Sequence, residues 1–290
     1  MAIPEHRTGS AVSGDVTVFY RVFGKPGRTP VLIMHGANYF DSYDWMDVAA
    51  GLATDREVVC YDKRGFGASS WSDSKDYSLD AHVTDAMVVA GRLGWKRFIP
   101  MGHSASGRLS VAIAANYPDR AAALIVADAG MGGDEGGGAQ RQTTGNAPLI
   151  VDSVEAAMAS FAKLGNPPRI AHDRVRAEAA LVKVEQGFML KRDPDFQNAR
   201  PVGESADMPQ RPAASVWEDL ARVSCPVMFV RGLKSDRWKD PKILERLARE
   251  FPKIVINTVD AQHDVADQAP AALIAHVRRF IDAIPETSRG

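Results

Sequence analysis

The segment from Arg97 to Tyr117 constrains the chain more than any other. A short apolar run, Phe98-Ile99-Pro100-Met101, ends in Gly102-His103-Ser104-Ala105-Ser106-Gly107 and continues into Arg108-Leu109-Ser110-Val111-Ala112-Ile113-Ala114-Ala115-Asn116-Tyr117. Such a run reads as a buried strand, a sharp turn and a helix. A serine on the turn is held in a strained backbone conformation that its neighbours tolerate only if they lack bulk. Gly102 two residues before it and Ser106 two residues after it meet that requirement. The hydroxyl of Ser104 then stands at a sheet edge, beside the unpaired N–H groups and the positive end of a helix. Ser106 is the rival hydroxyl, but it has Ser104 rather than glycine two residues before it and falls inside the first helical turn.

The rest of the sequence repeats this strand-helix alternation. Pro30–Met34, Val58–Tyr61, Ala123–Val126, Val227–Val230 and Ile254–Ile256 are further short apolar runs, and Leu79–Leu93 and Pro270–Ile284 have helical periodicity. Continuous apolar strands are buried on both faces, so the pattern predicts an α/β fold with a mostly parallel sheet covered by helices on both sides. Val16–Phe23 is a strand as well, and Ser13-Gly14-Asp15 before it reads as a hairpin turn that adds an antiparallel edge.

Between about residues 130 and 212 the alternation stops. Gly130-Met131-Gly132-Gly133-Asp134-Glu135-Gly136-Gly137-Gly138 leads into two stretches with helical spacing, Val154–Leu164 and Val175–Phe188. We expect a core domain of residues 1–130 and 213–290, interrupted by a small helical cap over residues 131–212. The glycine tract is read either as a hinge for that cap or as a loose surface loop.

The whole composition excludes several classes. The chain has 290 residues, is 45% hydrophobic and 24% charged, and has a formal net charge of −1 with both signs interspersed. Disorder is excluded, and a nucleic-acid partner or an anionic membrane surface would need a basic face that is missing. The sequence contains no run of about 18 apolar residues and begins without an apolar leader pattern, so a cytoplasmic protein acting on a small molecule is expected. Association between copies is left open. The two cysteines, Cys60 and Cys225, lack metal or redox spacing, and the histidines and acids do not cluster as ligands, so neither metal nor cofactor is expected.

A serine nucleophile needs a base, and the base needs an acid to fix its tautomer. In a parallel sheet both come from loops after later strands. Asp260-Ala261-Gln262-His263-Asp264 follows the last strand and offers His263 as the base. Arg231-Gly232-Leu233-Lys234-Ser235-Asp236 follows the preceding strand and offers Asp236 as the acid, in the order Ser, Asp, His. Asp128, at the end of Ile125-Val126-Ala127, is the alternative acid.

With these residues together, the chain resembles the α/β-hydrolase superfamily in its capped form. Besides the Ser104 turn, His35-Gly36-Ala37-Asn38 resembles the family's oxyanion loop. Tyr61-Asp62-Lys63-Arg64-Gly65-Phe66-Gly67-Ala68-Ser69 resembles its Asp-x-Arg-Gly-x-Gly-x-Ser loop, and residues 231–236 resemble its acid loop. The resemblance implies an eight-stranded sheet and a triad of Ser104, His263 and Asp236. It also implies an oxyanion hole from the N–H groups of Ala37 and Ala105. Ser106 and Gln262 stand where the family often has glycine.

Asn38, Tyr39, His103, Met131 and Trp238 follow strand ends and are expected to contact substrate, His103 more as support than as wall. The expected activity is hydrolysis of a small, mainly apolar ester or lactone through an acyl-enzyme. Three rivals are hydrolysis of a carbon–carbon bond in a ring-cleavage or β-diketone acid, cofactor-free dioxygenation, and ligand sensing by a non-catalytic receptor. The first requires a cation for a substrate carboxylate, for which Arg64, Arg108 and Lys234 are available.

Overall fold

The computed structural model describes residues 3–131, 150–197, 215–238 and 240–285. It begins with a hairpin of β1 (Arg7–Ser13) and β2 (Val16–Phe23), turning at Gly14-Asp15 with Gly14 at φ 60°. There follow β3 (Arg28–Met34), α1 (Met46–Leu52), β4 (Arg56–Tyr61), α2 (Leu79–Arg92), β5 (Ile99–His103), α3 (Ala105–Asn116) and β6 (Leu124–Ala127). The segment 150–197 contains β7 (Ile150–Val151), α4 (Val154–Phe161), α5 (Arg174–Ala180), β8 (Leu181–Val184) and β9 (Gly187–Leu190). The chain then continues through α6 (Val216–Arg222), β10 (Val227–Gly232), α7 (Pro241–Glu250), β11 (Val255–Val259), α8 (Val265–Gln268) and α9 (Pro270–Asp282).

The main sheet has eight strands in the order β1-β2-β4-β3-β5-β6-β10-β11. Only the β1/β2 and β2/β4 pairs are antiparallel. The period of two along each strand sends its side chains into different cores. Val31 and Ile33 of β3 join Val48, Leu52, Leu273, Val277 and Ile281 on the α1/α9 face. Leu32 and Met34 join Val83, Val89, Leu109 and Ile113 on the α2/α3 face. Leu273, Val277 and Ile281 are fully buried at helical spacing, and each contributes about 1.5–3 kcal/mol by leaving water.

The order of strands reverses at β3, whose two neighbours, β4 and β5, lie on opposite sides. Chains leaving the carboxyl ends of β3 and β5 therefore diverge and open a crevice, the place where α/β sheets hold ligands. The loop with Ala37 leaves one of these strands and Ser104 leaves the other.

The insertion departs from the all-helical expectation. Val154–Phe161 is helical as read, but Val175–Phe188 is not one helix. It divides into α5, β8 and the start of β9, and β7-β9-β8 form a small antiparallel sheet. Helical spacing fits Val175–Phe188, but so does the alternation around the two-residue turn Glu185-Gln186, with Gly187 at φ 134°. The segment has its own apolar cluster, including Phe161, Ile170, Leu181 and Leu190, and it packs on the loops after β3 and β4. Arg176 pairs with Asp44 at 2.7 Å and with Asp41 at 3.1 Å, and Asp193 N–H donates to the Gly65 carbonyl. Of the glycine tract read as a hinge or as a loose surface loop, residues 132–138 lie outside the described residues, as do positions 198–212 of the expected cap.

Candidate active site

Ser104 sits between β5 and α3 with φ 54° and ψ −123°, a conformation that costs a residue with a side chain about 1–3 kcal/mol. Its neighbours leave the required space. A Cβ at Gly102 would lie 1.9 Å from the Ser106 carbonyl oxygen, and one at Gly36 would lie 3.0 Å from His103 Nδ1 and 3.2 Å from Ser104 Cβ. The glycine at 36 thus lets the loop after β3 come into contact with the turn. Ser106 is turned the other way. Its hydroxyl is buried and donates to the His35 carbonyl at 2.6 Å, which removes it as a nucleophile and ties α3 to the Ala37 loop.

His263 reaches this turn from the loop after β11. The Ser104 hydroxyl donates to His263 Nε2 at 2.8 Å, and His263 Nδ1–H donates to Asp128 Oδ2, also at 2.8 Å. The acid assignment from sequence is therefore corrected: Asp128, not Asp236, holds the histidine. Asp128 follows β6 directly at φ 44° and is fully buried. The β10 loop holds the same carboxylate. The Gly232 N–H donates to Asp128 Oδ1 at 2.8 Å, and the Ser235 hydroxyl donates to Oδ2 at 2.5 Å. The physical reason lies in the turn after β10. Lys234 N–H bonds to the Ala261 carbonyl and Ser235 N–H to that of Gly232, so the chain has curled before position 236. The Asp236 side chain is 63% exposed, and the nearby Arg237 Nε is 3.8 Å from it.

The loop after β3 is fixed by its own histidine. Lys63 N–H donates to His35 Nε2 at 3.0 Å, so the proton is on Nδ1, which donates to the Gly36 carbonyl at 2.7 Å. Burial holds the His35 pKa well below the usual imidazole range, with the Lys63 charge adding to the effect. Ala37 follows on this loop. Ala105 is the first residue of α3, so its N–H has no acceptor within the helix.

Of the expected wall residues, Asn38 and Tyr39 line a recess with Phe40, Asp41, Phe66 and Arg192. His103 does not. It is buried, its Nε2–H donates to the His263 carbonyl at 3.0 Å, and burial pushes its pKa far down, so it is a neutral support for the histidine loop. Met131 and Trp238 are corrected from wall to core. Both are buried in the cluster with Trp217, Leu220 and Phe229, because the loops that carry them fold back toward the α6 side of the sheet.

The three cations considered for a substrate carboxylate have acids of their own. Arg64 binds Asp85 at 2.7 Å, Lys234 binds Asp260 at 2.7 Å, and Arg108 lies 4.0 Å from Asp219. Sequence reasoning missed two others, Lys63 and Arg192. Lys63 is buried with its Nζ 5.2 Å from the centroid of the Phe66 ring, and burial pushes its pKa down to about 7. Among the described residues, no group of three or more His, Cys, Asp or Glu is placed to hold a metal ion. None of the described helices is long and apolar enough to cross a membrane.

Residues 31–276 match the model of the alpha/beta hydrolase family. The chain belongs to that family. Fluoroacetate dehalogenase from Burkholderia sp is 35% identical over 119 residues, a match spanning 40% of this chain and only 38% of the dehalogenase. The 3-hydroxybutyrate-oligomer hydrolase of Cupriavidus necator is 25% identical over 276 residues, covering 91% and 92% of the two chains. The crystal structure of E-2-(acetamidomethylene)succinate hydrolase superposes with a TM-score of 0.78 at 22% identity, covering 96% of this chain and all of that one, and shows the common fold.

Proposed function

We propose that this hydrolase cleaves a small, mainly apolar ester or lactone through an acyl-enzyme on Ser104. The observation that carries the reading is the continuous hydrogen-bond line from the Ser104 hydroxyl through His263 to Asp128, with both links at 2.8 Å. His263 Nε2 is free to accept the serine proton because Nδ1 holds its own proton against Asp128. Ser104 Oγ attacks the acyl carbonyl, and His263 takes the proton and returns it to the departing alkoxide. Water then repeats the sequence on the acyl-enzyme, releasing the acid and restoring Ser104. The N–H groups of Ala37 and Ala105 receive the oxyanion, and one such donor contributes about 3 kcal/mol.

Serine at position 104 argues against carbon–halogen or epoxide displacement. An ether formed on serine has no carbonyl for water to attack, so the enzyme would not be regenerated. The 3-hydroxybutyrate-oligomer hydrolase is named for an oligomer of a hydroxy acid, whose units are joined by esters, in keeping with acyl transfer.

Intact-mass spectrometry after treatment with a fluorophosphonate tests the reading. The wild-type protein gains one adduct and Ser104→Ala gains none, and one class among p-nitrophenyl esters, lactones and ring-cleavage acids is turned over. A folded wild-type protein that takes no label overturns the acyl-enzyme and brings forward a site that binds or deprotonates without acylation.

A further inference from the structure

Arg192 follows β9 and is only 4% exposed. Its Nη1 donates to the Asn38 carbonyl at 3.0 Å, and its buried Nε has no acceptor among the described residues. Taking a guanidinium out of water is costly unless an anion accompanies it, and no carboxylate of the described residues pairs with this one. The nearest acid in sequence, Asp193, is already engaged by Lys75 at 3.0 Å, the Tyr77 hydroxyl and the Asp195 N–H. Asp41, which shares the recess, accepts from Arg176 at 3.1 Å and from the Tyr43 N–H. Asp193 and Asp41 are thus both bonded elsewhere.

The location matters as much as the charge. Arg192 bonds to the carbonyl of the residue directly after Ala37, on the loop that meets Ser104 at Gly36. The recess it lines with Asn38, Tyr39, Phe40 and Phe66 has a volume of about 10 Å³, room for one water-sized group such as a single carboxylate oxygen. Phe66 also lies beside Lys63, whose Nζ is 5.2 Å from the ring centroid.

We propose that Arg192 is a specificity-determining residue that recognises a carboxylate, and that the preferred substrate is a small ester or lactone bearing one free carboxylate on an otherwise apolar skeleton. For the chemistry at Ser104 the proposal rests on the serine-hydrolase reading above, but binding at Arg192 does not depend on it. The unpartnered Nε–H suits one oxygen of a carboxylate, and such charge-assisted bonds are roughly twice as strong as neutral ones.

The test is protection of Ser104 from a neutral fluorophosphonate by straight-chain carboxylates from propionate to hexanoate, with the matching primary alcohols and inorganic phosphate as comparisons. In the wild-type protein, carboxylates should slow labelling at concentrations at least tenfold below those of the alcohols or of phosphate. Arg192→Met should abolish that advantage, Arg192→Lys should keep part of it, and Lys234→Met, which removes an exposed cation paired with Asp260, should keep all of it. Thermal melts verify that each variant is folded, and Arg192→Lys decides the matter if the Met variant is not. Equal protection by carboxylate and alcohol, or an advantage that survives in Arg192→Met, overturns the proposal. Stronger protection by phosphate overturns the carboxylate assignment. If Ser104 takes no label at all, the serine-hydrolase reading fails by itself. Calorimetric titration of hexanoate into the same proteins then decides on Arg192, with loss of binding in Arg192→Met as the expected result and equal or absent wild-type binding as the refutation.

Discussion

Replacing Asp128 by Asn keeps the side-chain shape and changes the direction of one hydrogen bond. Asn also tolerates the φ of 44° at this position better than most residues, so the backbone should hold. The carboxylate now accepts from the Gly232 N–H on Oδ1 and from His263 Nδ1–H and the Ser235 hydroxyl on Oδ2. The backbone N–H of Gly232 cannot turn away, so the amide oxygen must face it, and the amide NH2 must face His263. His263 can meet that donor only by moving its proton to Nε2, which then points at Ser104 Oγ. The base is lost without the loss of a single heavy atom. In hydrolases built on this logic the wrong tautomer costs about 10⁴ in kcat, or about 5.5 kcal/mol of transition-state stabilisation. The buried Ser235 hydroxyl also loses its carboxylate acceptor, for a stability loss of about 1–3 kcal/mol. Asp236→Asn is the matched control. Its exposed side chain and 3.8 Å approach to Arg237 Nε predict an effect below about 0.5 kcal/mol on stability and below about twofold on kcat. Steady-state turnover of a p-nitrophenyl ester and thermal melts on both variants provide the assay. If Asp236→Asn is the crippled enzyme and Asp128→Asn stays within about tenfold of wild type, the tautomer argument is wrong.

Three further outcomes follow from buried contacts. Ser106→Ala removes the donor to the His35 carbonyl and should lower kcat by about tenfold with little change in KM, alongside about 1–3 kcal/mol of stability; an unchanged kcat would mean the tie does not position the oxyanion loop. Gly102→Ala places a methyl 1.9 Å from the Ser106 carbonyl oxygen and should cost about 3 kcal/mol or more in chemical denaturation, whereas a midpoint equal to wild type would refute the close approach. Lys63 has a pKa of about 7 in the folded protein against 10.5 for the free side chain, so the folded state binds fewer protons between those values and its stability rises with pH across that window. Lys63→Met removes the penalty of a buried charge; its melting temperature should exceed wild type by several degrees at pH 6, and the difference should shrink as the pH is raised from 7 to 10. An advantage that is flat or grows with pH would show that Lys63 is not held as a buried ammonium.

What the sequence revealed about this fold follows from burial. Both faces of β3, β4 and β5 lie under helices, so these strands are apolar without interruption, and a run such as Val58–Tyr61 has few other uses. The Ser104 turn was equally plain, because its strained backbone demands small neighbours at fixed offsets. The hairpin Leu181–Leu190 was not, since it is only half covered and its mixed residues satisfy helical and alternating patterns alike. The acid is ambiguous in the sequence for a different reason. β6 and β10 are adjacent parallel strands with Ala127 opposite Val230, so the loops after both arrive at one edge and chain order fits either aspartate. The choice is made by the curl that bonds Lys234 to Ala261 and Ser235 to Gly232, contacts that depend on β11 and on tertiary packing. Met131 and Trp238 failed likewise: following a strand end says where a residue starts, not which way its loop folds.

Ser106, which departs from the family pattern, and Arg192, which lies outside it, argue for a common design. Ser106 stands where the family usually has glycine, and from sequence it looked like a residue that was merely small enough. In the fold its hydroxyl joins the helix behind Ser104 to the carbonyl of His35, while the Lys63 N–H holds the ring of the same histidine. The loop after β3 is thereby anchored from α3 and from the loop after β4 at once. Arg192 then reaches the far end of that loop from the insertion, through the Asn38 carbonyl. The serine turn, the loop after β4 and the insertion thus converge on residues 35–38. If an anion joins Arg192, the loop it steadies is the one that offers the Ala37 N–H to the reaction, so binding of a substrate carboxylate and stabilisation of the oxyanion should be energetically linked. That linkage predicts a deficit in kcat, and not only in KM, when Arg192 is lost: acyl transfer from a carboxylate-bearing ester should slow even at saturating substrate. A deficit confined to KM would assign Arg192 to ground-state binding alone.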